Sequence, residues 1–251
     1  MTSGRIVEYS AKEVEAIRAA GRLLSRVLDE IGQMVRPGIT TAALDRRARE
    51  LIEQGGAKPA FPEVRDYPAT LCTSINEQVV HGIPSDQPLR EGAIVGVDCG
   101  LSMDGFYADK AVTCAVGRIS PQARRLIEVA QSALEAAIAQ IHEGAHLGDV
   151  SAAIQKTAES AGMSVVRDYT GHGIGRHLHE EPQIPNRGTP GRGPRLRRGM
   201  ILALEPMVNL GTWQVETLAD NWTVVTLDRQ LSAHFEHTVA VTRDGADILT
   251  L

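Results

Sequence analysis

Apolar residues near the start of the chain recur with a helical period. Val14, Ile17, Leu24, Leu28 and Ile31 are spaced by three, four or seven positions, which predicts a helix with one apolar stripe. Ser10, three residues before Glu13, supplies a capping box that opens it, and Pro37-Gly38 closes it beyond about residue 34. A second helix through Leu44, Ala48, Leu51 and Ile52 is expected to be capped by Thr41 and stopped at Gly55-Gly56. The period then shortens to two. A turn-rich passage, 58–68, leads to a strand near 70–75, a loop 76–88 that carries His81, and two β-branched runs at 94–100 and 106–116. After Gly117 the helical period returns. Ser120-Pro121 opens a helix to about 141; Glu143-Gly144 interrupts it, and a helix at 149–160 stops at Gly162. These breaks repeat at an offset of about 106 residues (37 to 143, 56 to 162), the mark of an internal duplication. Two related halves, 10–117 and 118–251, are therefore expected behind a short extension, 1–9. The second half ends in strands at 200–208, 222–227 and 237–241, after a loop-rich stretch with Pro182, Pro185, Pro190 and Pro194. The pattern predicts one compact domain, 1–251, of the α+β class.

The middle of the first half fixes a register. Asp104-Gly105 is a strong signal for a type I′ turn, which needs positive φ at both central residues. With that loop, Met103 pairs with Phe106 and Gly100 with Asp109. Side chains alternate with period two, so Asp98 and Asp109 share one face, roughly 7–8 Å apart at their β-carbons. Two acids inside an apolar hairpin either face solvent or, if buried, shift their pKa, share a proton or hold a cation. Cys99 alternates to the opposite face and is expected in the core.

Composition adds limits. At 251 residues, 43% hydrophobic and 23% charged, the chain can bury a sizeable core. A net charge of −5 argues against a protein that mainly coats nucleic acid. No run of about 18 apolar residues is present, and the N-terminal region lacks the apolar core of a signal peptide. Three cysteines without CxxC spacing fit a reducing cytoplasm. Three further candidate ligands complete the acid pair. His172 sits between glycines, Glu205 precedes Pro206 at the end of an apolar run, and Glu236 precedes another such run. Four carboxylates and one imidazole suit a hard-to-borderline divalent site rather than a sulfur-rich one. Four negative charges call for two divalent cations, and paired metals of this kind serve peptide hydrolysis.

The same residues resemble those of type I methionine aminopeptidases, enzymes of the pita-bread fold. The likeness runs from Thr73-Ser-Ile-Asn-Glu77 through Val80-His81-Gly-Ile-Pro84, Val97-Asp98, Asp104-Gly-Phe-Tyr-Ala-Asp109 and Gly171-His-Gly-Ile-Gly-Arg176. It continues through His179-Glu-Glu-Pro-Gln183, Gly199-Met200, Glu205-Pro-Met207, Trp222-Thr-Val and Leu231-Ser-Ala to Glu236-His-Thr-Val-Ala. The resemblance implies a pseudo-twofold molecule with a curved central antiparallel sheet and flanking helices. It implies removal of N-terminal methionine from new chains, with Asp98 chelating one ion, Asp109 and Glu236 bridging two, and His172 and Glu205 completing the second. The metals would be manganese, iron, cobalt or zinc. His179 would contact the scissile carbonyl, His81 would lie by the substrate amine, and Glu205 would also manage the water's proton. Tyr67, Cys72, Leu178 and Trp222, with Phe61 and Val64 nearby, would line the methionine pocket. Leu178 stands where an aromatic residue is common, and His177 is an added imidazole expected to be exposed and inert. Asn76 and Ser232 match positions that hold a monovalent cation in some relatives. Arg187, Arg192, Arg195, Arg197 and Arg198 form a basic loop that could touch ribosomal RNA. A cytoplasmic monomer is expected, with no membrane contact. The remaining histidines, His142, His146, His234 and His237, are expected to play no part. The rival readings are a prolidase or aminopeptidase P relative and a metal-free binding module of the same fold.

Overall fold

The computed structural model describes residues 5–64 and 66–251; the first four positions of the N-terminal extension, and Arg65, lie outside the described residues. Four α-helices form among these: α1 (Ala11–Met34), α2 (Thr41–Gln54), α3 (Pro121–Ile138) and α4 (Leu147–Ser160). The Ser10 capping box is in place, with the Glu13 carboxylate accepting from the Ser10 N–H at 2.9 Å. The second cap is corrected by one residue. Thr40, in an extended conformation, is the N-cap and accepts from the Ala43 N–H at 3.1 Å. Thr41 instead points inward, where its hydroxyl accepts from the Ser85 N–H at 2.9 Å. Helix α3 ends at Ile138 rather than near 141, because Gln140 and Ile141 hydrogen-bond three residues back and tighten the last turn. Helix α4 begins earlier than expected, with the Asp149 carboxylate accepting from the His146 N–H at 2.9 Å.

The principal sheet has nine antiparallel strands. Its central path runs Lys58–Pro59, Ile94–Met103, Phe106–Ala115, Glu236–Val241, Ile201–Leu204, Thr170–Gly173 and Glu180–Pro185. Leu71–Ile75 adds to the Ile94–Met103 strand, and Ala246–Ile248 to Glu236–Val241. The hairpin has the expected register: Met103 faces Phe106 and Gly100 faces Asp109. Positive φ at Asp104 (52°) and Gly105 (82°) gives the type I′ turn.

Alternation divides this sheet into a dry face and a chemical face. Val95, Val97, Cys99 and Leu101 pack with Leu24, Leu28, Ile31, Leu44 and Ile52 of α1 and α2. In the second half, Leu202, Leu204, Val239 and Val241 pack with Leu126, Leu134, Val150 and Ile154 of α3 and α4. Each helix pair thus covers the back of one part of the sheet. Burying such side chains supplies roughly 1.5–3 kcal/mol apiece.

The run 200–208 is not one strand. Pro206 has no N–H for a ladder, and the chain leaves the principal sheet at Glu205-Pro206. It continues as Met207–Asn209 in a three-stranded sheet with Ser232–His234 and Ser164–Val165. Its neighbour bends at the same level: Ser232–His234 belongs to the small sheet, Glu236–Val241 to the large one, and the Phe235 N–H reaches the Pro206 carbonyl. A second small sheet joins Val215–Thr217, Val224–Thr226 and Gln78–Val80, so the loop expected at 76–88 contains a short strand. The strand expected at 222–227 is likewise only Val224–Thr226, since the Asp220 carboxylate turns the chain by accepting from the Trp222 and Thr223 N–H groups.

One buried side chain on the chemical face itself ties adjacent strands of the sheet together. The Thr238 hydroxyl accepts from the Asp109 N–H at 3.0 Å and donates to the Asp109 carbonyl at 2.8 Å, replacing ladder bonds between adjacent strands. Thr238→Val keeps the shape and orphans both groups, so it should lower stability by about 1–3 kcal/mol in urea unfolding. An unchanged midpoint would show that the tie is dispensable.

Candidate metal centre

Register alone brings five donor residues to one face. Ala111 pairs with Asp98 on one side and with Glu236 on the other. Paired residues point the same way, and Asp109, two positions before Ala111, points with them. Thr238 pairs with Ala203, and Ala203 pairs with His172. Thr238 follows Glu236 by two residues and Glu205 follows Ala203 by two, so Glu205 and His172 join the same face. Five successive strands of the sheet path therefore each contribute one donor, the Glu205 donor coming from just beyond its strand's end. The intervening positions on this face, Gly100, Ala111 and Ala203, are small and leave the donors room.

Asp109, His172 and Glu236 each place a donor atom within 4.8 Å of the other two, and all three are buried (4%, 8% and 2% exposed). Asp98 and Glu205 flank them at intermediate exposure, with Glu205 Oε1 3.7 Å from His172 Nε2. His172 Nδ1 lies 2.9 Å from the Gly173 carbonyl. An oxygen there requires Nδ1 to carry the proton, which leaves the Nε2 lone pair facing the carboxylates, the tautomer a metal ligand needs. Buried Asp98 Oδ1 and Glu236 Oε1 have no hydrogen-bond partner.

The electrostatics tell the same story. Burial pushes Asp109 up to about 7. Burial also raises Asp98, Glu205 and Glu236 well above the ordinary carboxylate range, and neighbouring carboxylates add to it: Asp109 and Glu205 around Asp98, Asp109 around Glu205, and all three around Glu236. Burial, with the nearby His179, lowers His172 to about 3, so its ring is neutral. Four acids that resist ionising together, a neutral imidazole and orphaned buried oxygens form a cradle suited to divalent cations.

A cavity of 720 Å³ opens onto this face, lined by His81, Tyr169, His172, His179, Gln183 and Glu205 among others. The His179 ring lies 4.5 Å from that of His172, centroid to centroid. His81 is held at a positive φ of 60°, which a non-glycine residue adopts at a cost; its ring packs edge-on against Tyr169 and Trp222. Burial, with His179, lowers its pKa to about 4. Beside the donors, Phe61, Tyr67, Cys72 and Leu178 form a buried apolar cluster, with Val64 and Trp222 against it. Gly100 sits under it: a β-carbon there would meet Phe61 at 2.9 Å. Tyr67 and Trp222 stack edge to face at 5.0 Å.

His177 is exposed on the cavity's outer rim, and Cys99 is buried on the opposite face of the sheet. The five arginines of the 187–198 loop are all exposed, although Arg197 is paired with Glu8 at 2.8 Å. Asn76 and Ser232 meet through a Ser232 N–H to Asn76 carbonyl bond of 2.9 Å. His237 lies on the helix side, bonded to Thr250 at 2.9 Å. His234 is different. The sequence reading gives it no part, yet its Nε2 is buried 3.8 Å from Glu205 Oε2. Its place two residues before Glu236 was the available signal.

The family model for metallopeptidase family M24 matches residues 15–243. The chain belongs to metallopeptidase family M24. This M24 chain is 48% identical to a methionine aminopeptidase of Clostridium perfringens over 246 residues, covering 98% of this chain and 99% of that one. It superposes on the crystal structure of methionine aminopeptidase from Rickettsia prowazekii with a TM-score of 0.97 at 43% identity, covering 98% of this chain and 100% of that one. Prolidase from Pyrococcus furiosus shares the fold (TM-score 0.80) at 20% identity, over 98% of this chain and 66% of that one. The curled sheet with its four helices is the α+β pita-bread architecture of these peptidases, and family membership implies divalent metal.

In the ion-free M24 chain these acids bind protons more tightly folded than unfolded. The stability they contribute is full below the unfolded value near 3.8 and is lost as pH rises toward about 7. Cations reverse this, since they require the ionised acids. Adding Mn²⁺ or Co²⁺ at a hundredfold excess over Kd to metal-stripped protein should raise Tm by about 5–10 °C at neutral pH. The increment should grow between pH 5.5 and 7.5; one independent of pH would contradict the ligand set.

Proposed function

We propose that this M24 chain is a methionine aminopeptidase: it hydrolyses the first peptide bond of newly made polypeptides and peptides that begin with methionine. The observation that carries the reading is its end-to-end similarity to enzymes of that name, 48% identical over nearly the whole of both chains, joined to the five-donor face. Prolidase shares the fold at 20% identity, and a metal-free binding module would have no use for five filled donor positions.

In this reading Asp98 would hold one cation, Asp109 and Glu236 would be shared with a second, and His172 and Glu205 would complete the set that holds it. Two cations balance the four carboxylates, and manganese, iron, cobalt or zinc suits the mixed oxygen and nitrogen set. Bound there, divalent metal supplies Lewis acidity and an activated water. Each neighbouring side chain then has a task. Glu205 would take the water's proton at a carboxylate oxygen. His179, beside His172 at the mouth of the cavity, donates an N–H to the carbonyl oxygen as negative charge develops. His81, kept neutral by burial, lies along the path of the substrate's amine. Tyr67, Cys72, Leu178 and Trp222, with Phe61 and Val64, give the methionine side chain an apolar, aromatic-edged slot that suits a thioether. A monovalent cation would sit near Asn76 and Ser232. The single domain, taken as a monomer, would work in the cytoplasm; among the described residues no helix is long and apolar enough to cross a membrane. The exposed arginines between 187 and 198 would meet ribosomal RNA. Reversing the charge of three of them without altering ribosome co-sedimentation would dispose of that contact.

The purified chain should release methionine from Met-Ala-Ser but little from Met-Lys-Ser, lose activity to a chelator and regain it with added metal. Cleavage of X-Pro peptides instead would favour the prolidase reading, and no turnover with any metal the binding module. Asp109→Asn should abolish turnover with an unchanged circular dichroism spectrum, whereas near-normal turnover would remove the bridging role. His179→Ala should lower kcat by about 10²–10³-fold, the range for loss of one oxyanion donor.

A further inference from the structure

Among the described residues, His234 is the one histidine with a buried ring nitrogen that has no hydrogen-bond partner. It is 3% exposed, so the orphan does not face bulk water. Its backbone is fixed at both ends of the peptide unit: its N–H donates to Thr113 Oγ1 at 3.0 Å, and its carbonyl accepts from the same hydroxyl at 2.8 Å. Across the strand pair it faces Met207, two residues after Glu205. The bends at Pro206 and Phe235 thus carry Glu205 and His234 on one corner between two sheets.

The two oxygens of Glu205 face different imidazoles. Oε1 stands 3.7 Å from His172 Nε2, and Oε2 stands 3.8 Å from His234 Nε2. Because the Nδ1 proton of His172 is committed to Gly173, its Nε2 offers a lone pair; Oε1 and that nitrogen are therefore two acceptors side by side, the arrangement a cation joins. Oε2 is left for another partner. A gap of 3.8 Å exceeds a hydrogen bond, and it is too short for an intervening water, which needs two bonds of about 2.8 Å in series. The last torsion of the glutamate is broad and soft, which gives Oε2 the freedom to approach that nitrogen.

We propose that His234 is a positioning residue for Glu205: its Nε2–H donates to Oε2 and so aims Oε1 at the cation that His172 also holds. The proposal rests on the divalent-metal reading of the site. Such outer partners orient a ligand before the ion arrives, and their loss typically weakens metal binding by about 10–100-fold.

The test is Co²⁺ titration of the metal-stripped full-length chain, followed by calorimetry and by the visible absorption of bound Co²⁺. His234→Leu removes the donor at similar volume, His234→Ala is a second truncation in case leucine does not fit, and His234→Gln restores an N–H without an imidazole. The leucine and alanine variants should weaken the binding event assigned to His172 and Glu205 by about 10–100-fold, shift its Co²⁺ absorption and leave the other event intact. The glutamine variant should return toward wild type. Wild-type affinity in the truncations, or glutamine as weak as leucine, overturns the positioning role while the metal reading stands. A wild-type chain that binds no Co²⁺ overturns the metal reading, and this proposal with it.

Discussion

Four carboxylates gathered on one buried face repel one another, and burial penalises each charge further. Burial carries Asp109 up to about 7 and moves Asp98, Glu205 and Glu236 in the same direction, so without a compensating cation these groups would hold protons. A site built this way has little intrinsic reason to exist. Replacing buried charges with packed apolar groups is often neutral or stabilising, so the arrangement implies a compensating positive charge. Divalent metal, which membership of family M24 implies, would supply that charge, and the neutral imidazole of His172 would add a donor without adding to the repulsion.

The sheet bears the cost of holding these groups together. Five strands are locked in register by a ladder running through Ala111, Ala203 and Thr238, and two helix pairs bury the reverse face. A donor moved by one position along any of these strands would turn from the site into the helical core. Thr238 ties Asp109 to the neighbouring strand. The bends at Glu205-Pro206 and Phe235 let one corner serve both the large sheet and the small one. Function and stability therefore share a framework, with the chemistry confined to one face and the cohesion to the other.

Much of this was legible in the chain because it is local. Asp104-Gly105 permits one tight turn, and that turn fixes Asp98 and Asp109 on a common face without any knowledge of the rest. The starts of α1 and α3 followed from Ser10 and Ser120, and the ends of α2 and α4 from Gly55 and Gly162. Non-local facts were harder to read. Nothing in the spacing of Glu205, Glu236 and His172 says that their strands lie side by side; the resemblance to a known family supplied that expectation. The unbroken apolar run from Met200 to Val208 hid a change of sheet, since hydropathy does not register a missing proline N–H. Thr40 and Thr41 are equivalent as caps until the burial of one is known. His234 carries no signal of its own in the sequence, because a lone histidine is ordinarily bland, and only the corner at Phe235 turns it toward Glu205.

The proposed metal centre is a spatial claim: side chains of Asp98, Asp109, His172, Glu205 and Glu236 would surround a pair of cations. Anomalous diffraction from crystals of the cobalt- or manganese-loaded chain, collected on both sides of the metal absorption edge, tests it most directly. The account predicts two peaks about 3.5–4 Å apart, each in contact with carboxylate oxygens of this set and one of them with His172 Nε2. No peak among these five groups, or metal bound only elsewhere on the surface, would contradict it.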